Sequence, residues 1–253
     1  MSLTDLVEVP NSLNQGITNA RQQTMLALLG SPRGRYSNEC QPVTHPVLSS
    51  QMVTDSVGPF RATGLLPAIE DLKVIMTAIK REQPDVHAAL GTAGMLCARL
   101  VRGSTSLISN HSWGTAIDLT LDGKLDRRGD NKVYKGLIKI APIFNQHGWY
   151  WGAGFRTEDA MHFEAGDERI RKWHSEGRFG VTGVTLPETA LSLGDRGPEV
   201  RELQEKLNQT GTGLKIDGEF GPLTHAAVVA FQAGHGLRPD GVVGPKTRAA
   251  LGL

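Results

Sequence analysis

Between Leu65 and Pro84 the apolar residues Ile69, Leu72, Ile75, Met76 and Ile79 recur at intervals of three and four, which predicts a helix with one buried face. Pro67 stands near its start and Pro84 past its end, where proline suits a first helical turn or a stop. At 115–121, TAIDLTL, the period shortens to two. Ile117, Leu119 and Leu121 alternate with Ala116, Asp118 and Thr120, predicting a strand with one apolar face. A second helix is expected at about 132–146, with Val133, Leu137, Ile140, Ala141 and Phe144 inward and His147-Gly148 as its stop. GTAGMLCARLV predicts a strand ending near Arg99, AMHFE a further short strand, and DERIRKWHS at 167–175 a closing helix. Asn19–Leu29 predicts one more helix. Helices mixed with short strands predict an α+β domain, a small antiparallel sheet with flanking helices.

Breaker residues dominate SPRGRYSNECQPVTHP, so residues 1–64 are read as an N-terminal extension packed on a domain at 65–182. GVTLPETA at 183–190 has linker composition, and residues 191–253 form a second unit. This unit repeats Asp-Gly-x-x-Gly-Pro-x-Thr-x-Ala-Ala from Asp217 and again from Asp240. Each copy is a Gly-rich turn whose threonine, Thr224 or Thr247, is expected to cap the helix that follows. An earlier helix, PEVRELQEKLN, adds Val200, Leu203 and Leu207 to the core. Three short helices in so few residues predict a small bundle near the lower size limit for independent folding.

The chain has 253 residues, enough for two domains, and a net charge of +1. Such a balance gives no general attraction to nucleic acid or to an anionic membrane. The first residues lack the basic and apolar regions of a secretory signal, and MLALL at 25–29 is too short to span a bilayer. The expectation is a monomer made in the cytoplasm without a signal peptide. Cys40 and Cys97 are the only cysteines and are read as two buried thiols, a single bridge being the alternative.

One histidine and one aspartate in SNHSWGTAID (109–118) raise the chemical question. Asp118 shares a strand face with small Ala116, opposite the apolar one, and a buried carboxylate there needs a partner or a cation. Gly114 lets the chain fold back so that His111 approaches Asp118. In AMHFE, His162 points away from Met161 and Phe163. Two histidines and an aspartate would give zinc three protein ligands and leave a fourth position for water, the arrangement of a catalytic site. A carboxylate base must then lie within reach of that water. Asp159, three residues before His162, is best placed, with Glu158 and Glu164 as competitors. His45, His87, His147, His174, His225 and His235 lack a paired carboxylate at a convincing spacing and are read as structural. The four tryptophans are read mainly as core.

These residues resemble a known family. SNHSWGTAID is similar to the Ser-x-His-x-x-Gly-x-Ala-x-Asp motif of zinc peptidases that include vancomycin-resistance D-alanyl-D-alanine carboxypeptidases and phage L-alanyl-D-glutamate endopeptidases. DAMHFE is similar to their second motif, and Trp151-Gly152 lies in the usual place ahead of it. The resemblance covers roughly residues 65–182. It implies zinc on His111, Asp118 and His162, with Asp159 as the base. It also implies an upstream arginine that anchors a substrate carboxylate or steadies the oxyanion, with Arg99 favoured and Arg102 the alternative. Ser109 matches the motif serine and would orient the substrate or fix the loop. The carboxypeptidases usually carry Glu-x-Trp-His in the last motif, so Asp-x-x-His-Phe-Glu looks more like the endopeptidase branch. Residues 191–253 resemble the three-helix peptidoglycan-binding module of cell-wall hydrolases. Together the resemblances imply a zinc peptidase of peptidoglycan stems, acting on the wall after release by lysis, as a phage lysin, or after secretion, as an antibacterial effector. The alternative is a non-catalytic wall-binding protein with a structural zinc.

Overall fold

A computed structural model describes residues 2–179 and 190–253. By contacts the chain divides into two units, Met1–Ala20 with Leu28–Thr182 and Arg21–Ala27 with Gly183–Leu253. The linker expected at 183–190 lies, except for Ala190, outside the described residues.

In chain order the elements up to the sheet are β1 (Leu6–Glu8), α1 (Gln22–Leu29), α2 (Pro46–Ser50), β2 (Met52–Ser56), β3 (Arg61–Leu65), α3 (Leu66–Glu82), α4 (Pro84–Ala89) and β4 (Leu90–Gly94). Then follow β5 (Ala116–Leu121), β6 (Lys132–Tyr134), α5 (Lys135–Gln146), β7 (Trp149–Trp151), β8 (His162–Ala165) and α6 (Asp167–Ser175). The first unit is α+β, as its periodicities predict. Its main sheet is antiparallel in the order β4-β5-β8-β7, and β1-β6 and β2-β3 form two-stranded ribbons. Ile69, Leu72, Ile75, Met76 and Ile79 of α3 are all buried, as are Ile117, Leu119 and Leu121 of β5. The same core takes all four tryptophans. Phe144 of α5 packs on Phe163 of β8 with ring centroids 4.2 Å apart.

Buried polar ties fix the layers. Asp71 of α3 receives a two-pronged hydrogen bond from Arg169 of α6, Nε at 2.8 Å and Nη2 at 2.5 Å, and a third from Trp149 Nε1 at 3.1 Å. Asn14, at positive φ, acts as a substitute strand for β7. Its Oδ1 accepts from Trp151 N at 2.8 Å and its Nδ2 donates to Trp151 O at 2.9 Å. His45 caps α2 by accepting from Leu48 N.

Three expectations for the first unit are corrected. Residues 132–134 form a strand rather than the first turn of α5, with Val133 opposite Val7. Val133 is buried all the same, since one inward β-branched residue fits either period. The strand expected to reach Arg99 ends at Gly94, where φ is +129° and the register shifts. Beyond it, only the isolated bridges Gln41↔Ala98 and Leu100↔Ile108 remain. The cysteines are neither buried nor free. Cys40 is exposed and Cys97 half-buried, and they form a disulfide with Cα atoms 5.1 Å apart. The Gln41↔Ala98 bridge next to them explains why they meet.

The second unit contains α7 (Pro198–Gln209), α8 (Pro222–Gly234) and α9 (Pro245–Leu251). Val200, Leu203 and Leu207 join Phe220, Val228, Phe231, Val243 and Leu251 in one core. The repeat threonines do not cap their helices. Gly221 and Gly244 hold the cap positions with proline just inside, so each threonine falls in the first turn, turned inward. There Thr224 accepts from Gln204 Nε2 at 3.3 Å and Thr247 from Gln232 Nε2 at 3.1 Å.

Candidate metal centre

The site forms where β5 and β8 pair, Asp118 lying directly opposite His162. Opposite residues on antiparallel strands share a face, so both side chains point the same way. His111 comes from a single 3-10 turn, Asn110–Trp113, ended by Gly114 at φ +64°, ψ +33°. A Cβ on Gly114 would lie 2.8 Å from both Gly64 Cα and Leu65 N, so the reversal needs glycine for conformation and for space. The reversal places His111 Nε2 3.2 Å from Asp118 Oδ1 and 3.2 Å from His162 Nδ1. His162 Nδ1 and Asp118 Oδ1 are 3.1 Å apart. The three ligand atoms lie within 4.8 Å of one another, the one such group among the described residues.

Each histidine is oriented through its other nitrogen. His111 Nδ1 donates to Met95 O at 2.8 Å, and His162 Nε2 donates to Glu164 Oε2 at 2.9 Å. Glu164 is held in turn by Ala20 N at 3.0 Å and Asn110 Nδ2 at 2.8 Å. Anchoring of this kind turns a lone pair of each ring toward the centre, as a metal ligand requires. The electrostatics agree. Burial alone would lower the His162 pKa, but hydrogen bonds to Asp118 and Glu164 outweigh it and push it up to about 10. Burial would raise Asp118, yet His111 and His162 hold it well below the usual carboxylate range. Two imidazole nitrogens, each steadied from behind, and one carboxylate oxygen fit zinc.

Of the three candidate bases, two are occupied. Glu164 orients His162, and Glu158, 3% exposed, accepts from Ala160 N at 2.7 Å and Gly129 N at 3.0 Å. Asp159 differs: its Oδ1 is buried and has no hydrogen-bond partner. Burial raises its pKa, with His162 opposing. Gly152 makes room for this turn. Asp159 N donates to Gly152 O at 3.0 Å, and a Cβ at Gly152 would lie 2.6 Å from Asp159 O.

Arg99 is half-buried, and burial lowers its pKa, with Arg102 adding to the effect and Asp118 and Asp159 opposing it. It therefore lies within electrostatic reach of the centre, while Arg102 is exposed. Ser109 is buried and braces the loop through its backbone, N to Arg99 O at 3.0 Å and O from Ser112 N at 2.8 Å. Sequence reasoning missed Arg128, whose Nε lies 3.1 Å from Asp159 Oδ2. It stands in the charged stretch DGKLDRRGDNK, and nothing in its spacing distinguishes it from a solvated arginine.

Residues 102–165 match the family model of D-alanyl-D-alanine carboxypeptidases, and residues 196–251 match that of a putative peptidoglycan-binding domain. The first match contains His111, Asp118, Asp159 and His162 but stops short of Arg99. No curated protein matches the chain. Among solved structures it is similar to a Burkholderia AP3 phage endolysin, at 51% identity over 25% of this chain and 24% of that one, TM-score 0.25. A peptidoglycan-binding protein from Clostridioides difficile is 41% identical over 25% of this chain and 40% of that one, TM-score 0.25. The SleB N-terminal domain is 37% identical over 26% of this chain and 93% of that one, TM-score 0.25. The chain thus spans about a quarter of the endolysin and two fifths of the Clostridioides difficile protein. The two family matches fall in separate parts of the chain, so that a segment similar to D-alanyl-D-alanine carboxypeptidases, bearing the His–Asp–His group, precedes one similar to a putative peptidoglycan-binding domain.

Proposed function

We propose that this protein is a zinc peptidase that hydrolyses peptidoglycan stem peptides, with His111, Asp118 and His162 as ligands and Asp159 as the base. The observation that carries the reading is the contrast among the carboxylates. Glu158 and Glu164 are taken up by backbone and histidine partners, and of the three candidate bases Asp159 is the one that keeps a buried oxygen without one. When bound, zinc supplies Lewis acidity that polarises a carbonyl and eases deprotonation of water. Asp159 Oδ1 takes a proton from the attacking water and returns it to the leaving amine. Its raised pKa helps, because a base that later acts as an acid works best when its pKa approaches the working pH. Arg99 steadies negative charge on the substrate, and the Ser109 backbone holds the loop that carries His111.

The favoured bond is L-Ala-D-Glu, with D-Ala-D-Ala next; support for this order is the run Asp159-x-x-His162-Phe163-Glu164. Residues 65–182 act as the peptidase domain, 1–64 pack on it, and 191–253 hold the monomeric enzyme on the insoluble wall, raising the local concentration of stems. The role is that of a phage endolysin or a secreted antibacterial effector. Mass analysis of muropeptides after digestion tests the chemistry: the zinc-loaded protein is expected to release cleaved stems, and Asp159→Ala to release none. Equal products from both would overturn the reading. Free D-alanine from a pentapeptide stem would move the assignment to the carboxypeptidase bond.

A further inference from the structure

We infer that Arg128 is a positioning residue for Asp159, holding one carboxylate oxygen so that the other meets the proton to be moved; this rests on the peptidase reading above. Arg128 stands in the stretch between β5 and β6, and that stretch is fastened to the turn bearing the base at adjacent residues on both sides. Gly129 N donates to Glu158 O at 2.9 Å and to Glu158 Oε2 at 3.0 Å. Gly129 follows Arg128, and Glu158 precedes Asp159, so the two contacts place the guanidinium against the carboxylate. Arg128 Nε then lies 3.1 Å from Asp159 Oδ2, with side chains 30% and 21% exposed. The two side chains are partly exposed, while the facing Arg128 Nε and the unpartnered Asp159 Oδ1 are themselves buried.

The pair is built unlike the structural one in the same unit. Asp71 has both oxygens taken by Arg169. Arg128 meets Oδ2 of Asp159 in an ion pair at 3.1 Å in which its Nε makes no hydrogen bond, and Oδ1 stays without a partner. A carboxylate that exchanges protons has two equivalent oxygens, and rotation about its bond can offer the wrong one. A guanidinium, which stays charged throughout the working pH range, fixes one oxygen without competing for the proton. Glu158 sets this geometry from behind through Gly129.

The test uses the full-length, zinc-loaded protein and a defined soluble muropeptide, comparing wild type, Arg128→Gln, Arg128→Lys, Asp159→Asn and the Arg128→Gln/Asp159→Asn pair. Zinc content and melting temperature are measured for each. Arg128→Gln is expected to lower kcat by about tenfold or more, a fraction of what a general base contributes, with KM changed by less than about twofold. Arg128→Lys recovers part of that loss. In the Asp159→Asn background, Arg128→Gln has no further effect, because it acts through Asp159. A rise in KM at unchanged kcat, or effects that multiply in the double variant, would overturn the proposal. Should Arg128→Gln melt early, Arg128→Met asks the same question with a side chain of similar length. Failure of the underlying peptidase reading looks different: wild type cleaves nothing, or Asp159→Asn cleaves as fast as wild type.

Discussion

Glu164 accepts a hydrogen bond from His162 Nε2 at 2.9 Å, on the side of the ring away from His111 and Asp118. The carboxylate thereby fixes which nitrogen of His162 faces the centre and makes that nitrogen a stronger donor. Outer partners of this kind typically contribute 10- to 100-fold in metal affinity. Glu164→Gln keeps the shape and an oxygen acceptor but removes the charge. Zinc affinity, read by competition against a chromophoric chelator, is expected to fall by about tenfold or more. An unchanged affinity would mean that Glu164 serves only Ala20 and Asn110.

Metal removal separates a catalytic from a structural ion. The core of the first unit is supplied in part by Trp113, Trp149, Trp151, Phe144 and Phe163, all fully buried, and none of them is one of the three ligands. Dialysis against a chelator is therefore expected to abolish hydrolysis while near-ultraviolet circular dichroism keeps its native form. A domain held together by zinc would instead unfold when the metal is withdrawn, and that outcome would favour a wall-binding protein with a structural ion.

How far the site was legible follows from how its members are related in sequence. His111, Gly114 and Asp118 lie within eight residues, and strand alternation and one glycine turn relate them without tertiary knowledge. His162 was reachable because its two neighbours are apolar. Arg128 was not, since its meaning depends on a contact between Gly129 and Glu158, 29 residues apart. The disulfide was misjudged for a similar reason: it follows from a bridge between Gln41 and Ala98 that no local pattern announces. The break at Gly94 was missed because GTAGMLCARLV offers no period of its own. The main helices, by contrast, came out where the apolar spacing ran through two turns or more, although α1 and α5 each begin three residues later than the spacing predicts.

Gly114 carries two constraints at once, a left-handed backbone and van der Waals contact with Gly64 and Leu65. Gly114→Ala should therefore cost about 1–3 kcal/mol in stability and displace His111 as well. Chemical denaturation and zinc titration of the same variant check both effects. Loss of stability without loss of affinity would show that the turn is not what sets His111.

Asp126 makes the pH dependence testable. It is buried, with Oδ2 accepting from Tyr134 N at 2.5 Å and Oδ1 lacking a partner. Burial raises its pKa from 3.8 to about 6, with Glu158 and Asp130 adding to the rise. The folded state thus binds this proton more tightly than the unfolded one. The resulting stability is full below about pH 4 and is lost as pH rises through about 6. Asp126→Asn is expected to melt higher than wild type at pH 8, by no more than about 3 kcal/mol, and the gap should close toward pH 4. Melting curves that stay parallel from pH 4 to 8 would rule this out.

The second unit holds a polar element that its repeat did not announce. Gln204 donates Nε2 to Asp217 Oδ1 at 2.9 Å, to Glu219 O at 3.0 Å and to Thr224 Oγ1, while its Oε1 accepts from Gly218 N at 2.8 Å. Gln232 repeats the pattern with Asp240 Oδ1 at 3.1 Å, Val242 O at 2.8 Å, Thr247 Oγ1 and Gly241 N at 2.9 Å. Each glutamine is buried and links a preceding helix to the Asp-Gly turn ahead of the next, which explains why the repeat keeps both aspartate and threonine. Replacing either by leucine leaves a backbone N–H, that of Gly218 or of Gly241, unmatched beside a core of nine apolar residues. Each such loss is worth about 1–3 kcal/mol, a large share of what a bundle this small can spare. Gln204→Leu is therefore expected to melt the second unit early and to release the protein from sedimented peptidoglycan, while hydrolysis of a soluble muropeptide stays at the wild-type rate. Equal loss of both activities would show that the substitution disturbs the whole chain rather than the anchoring unit.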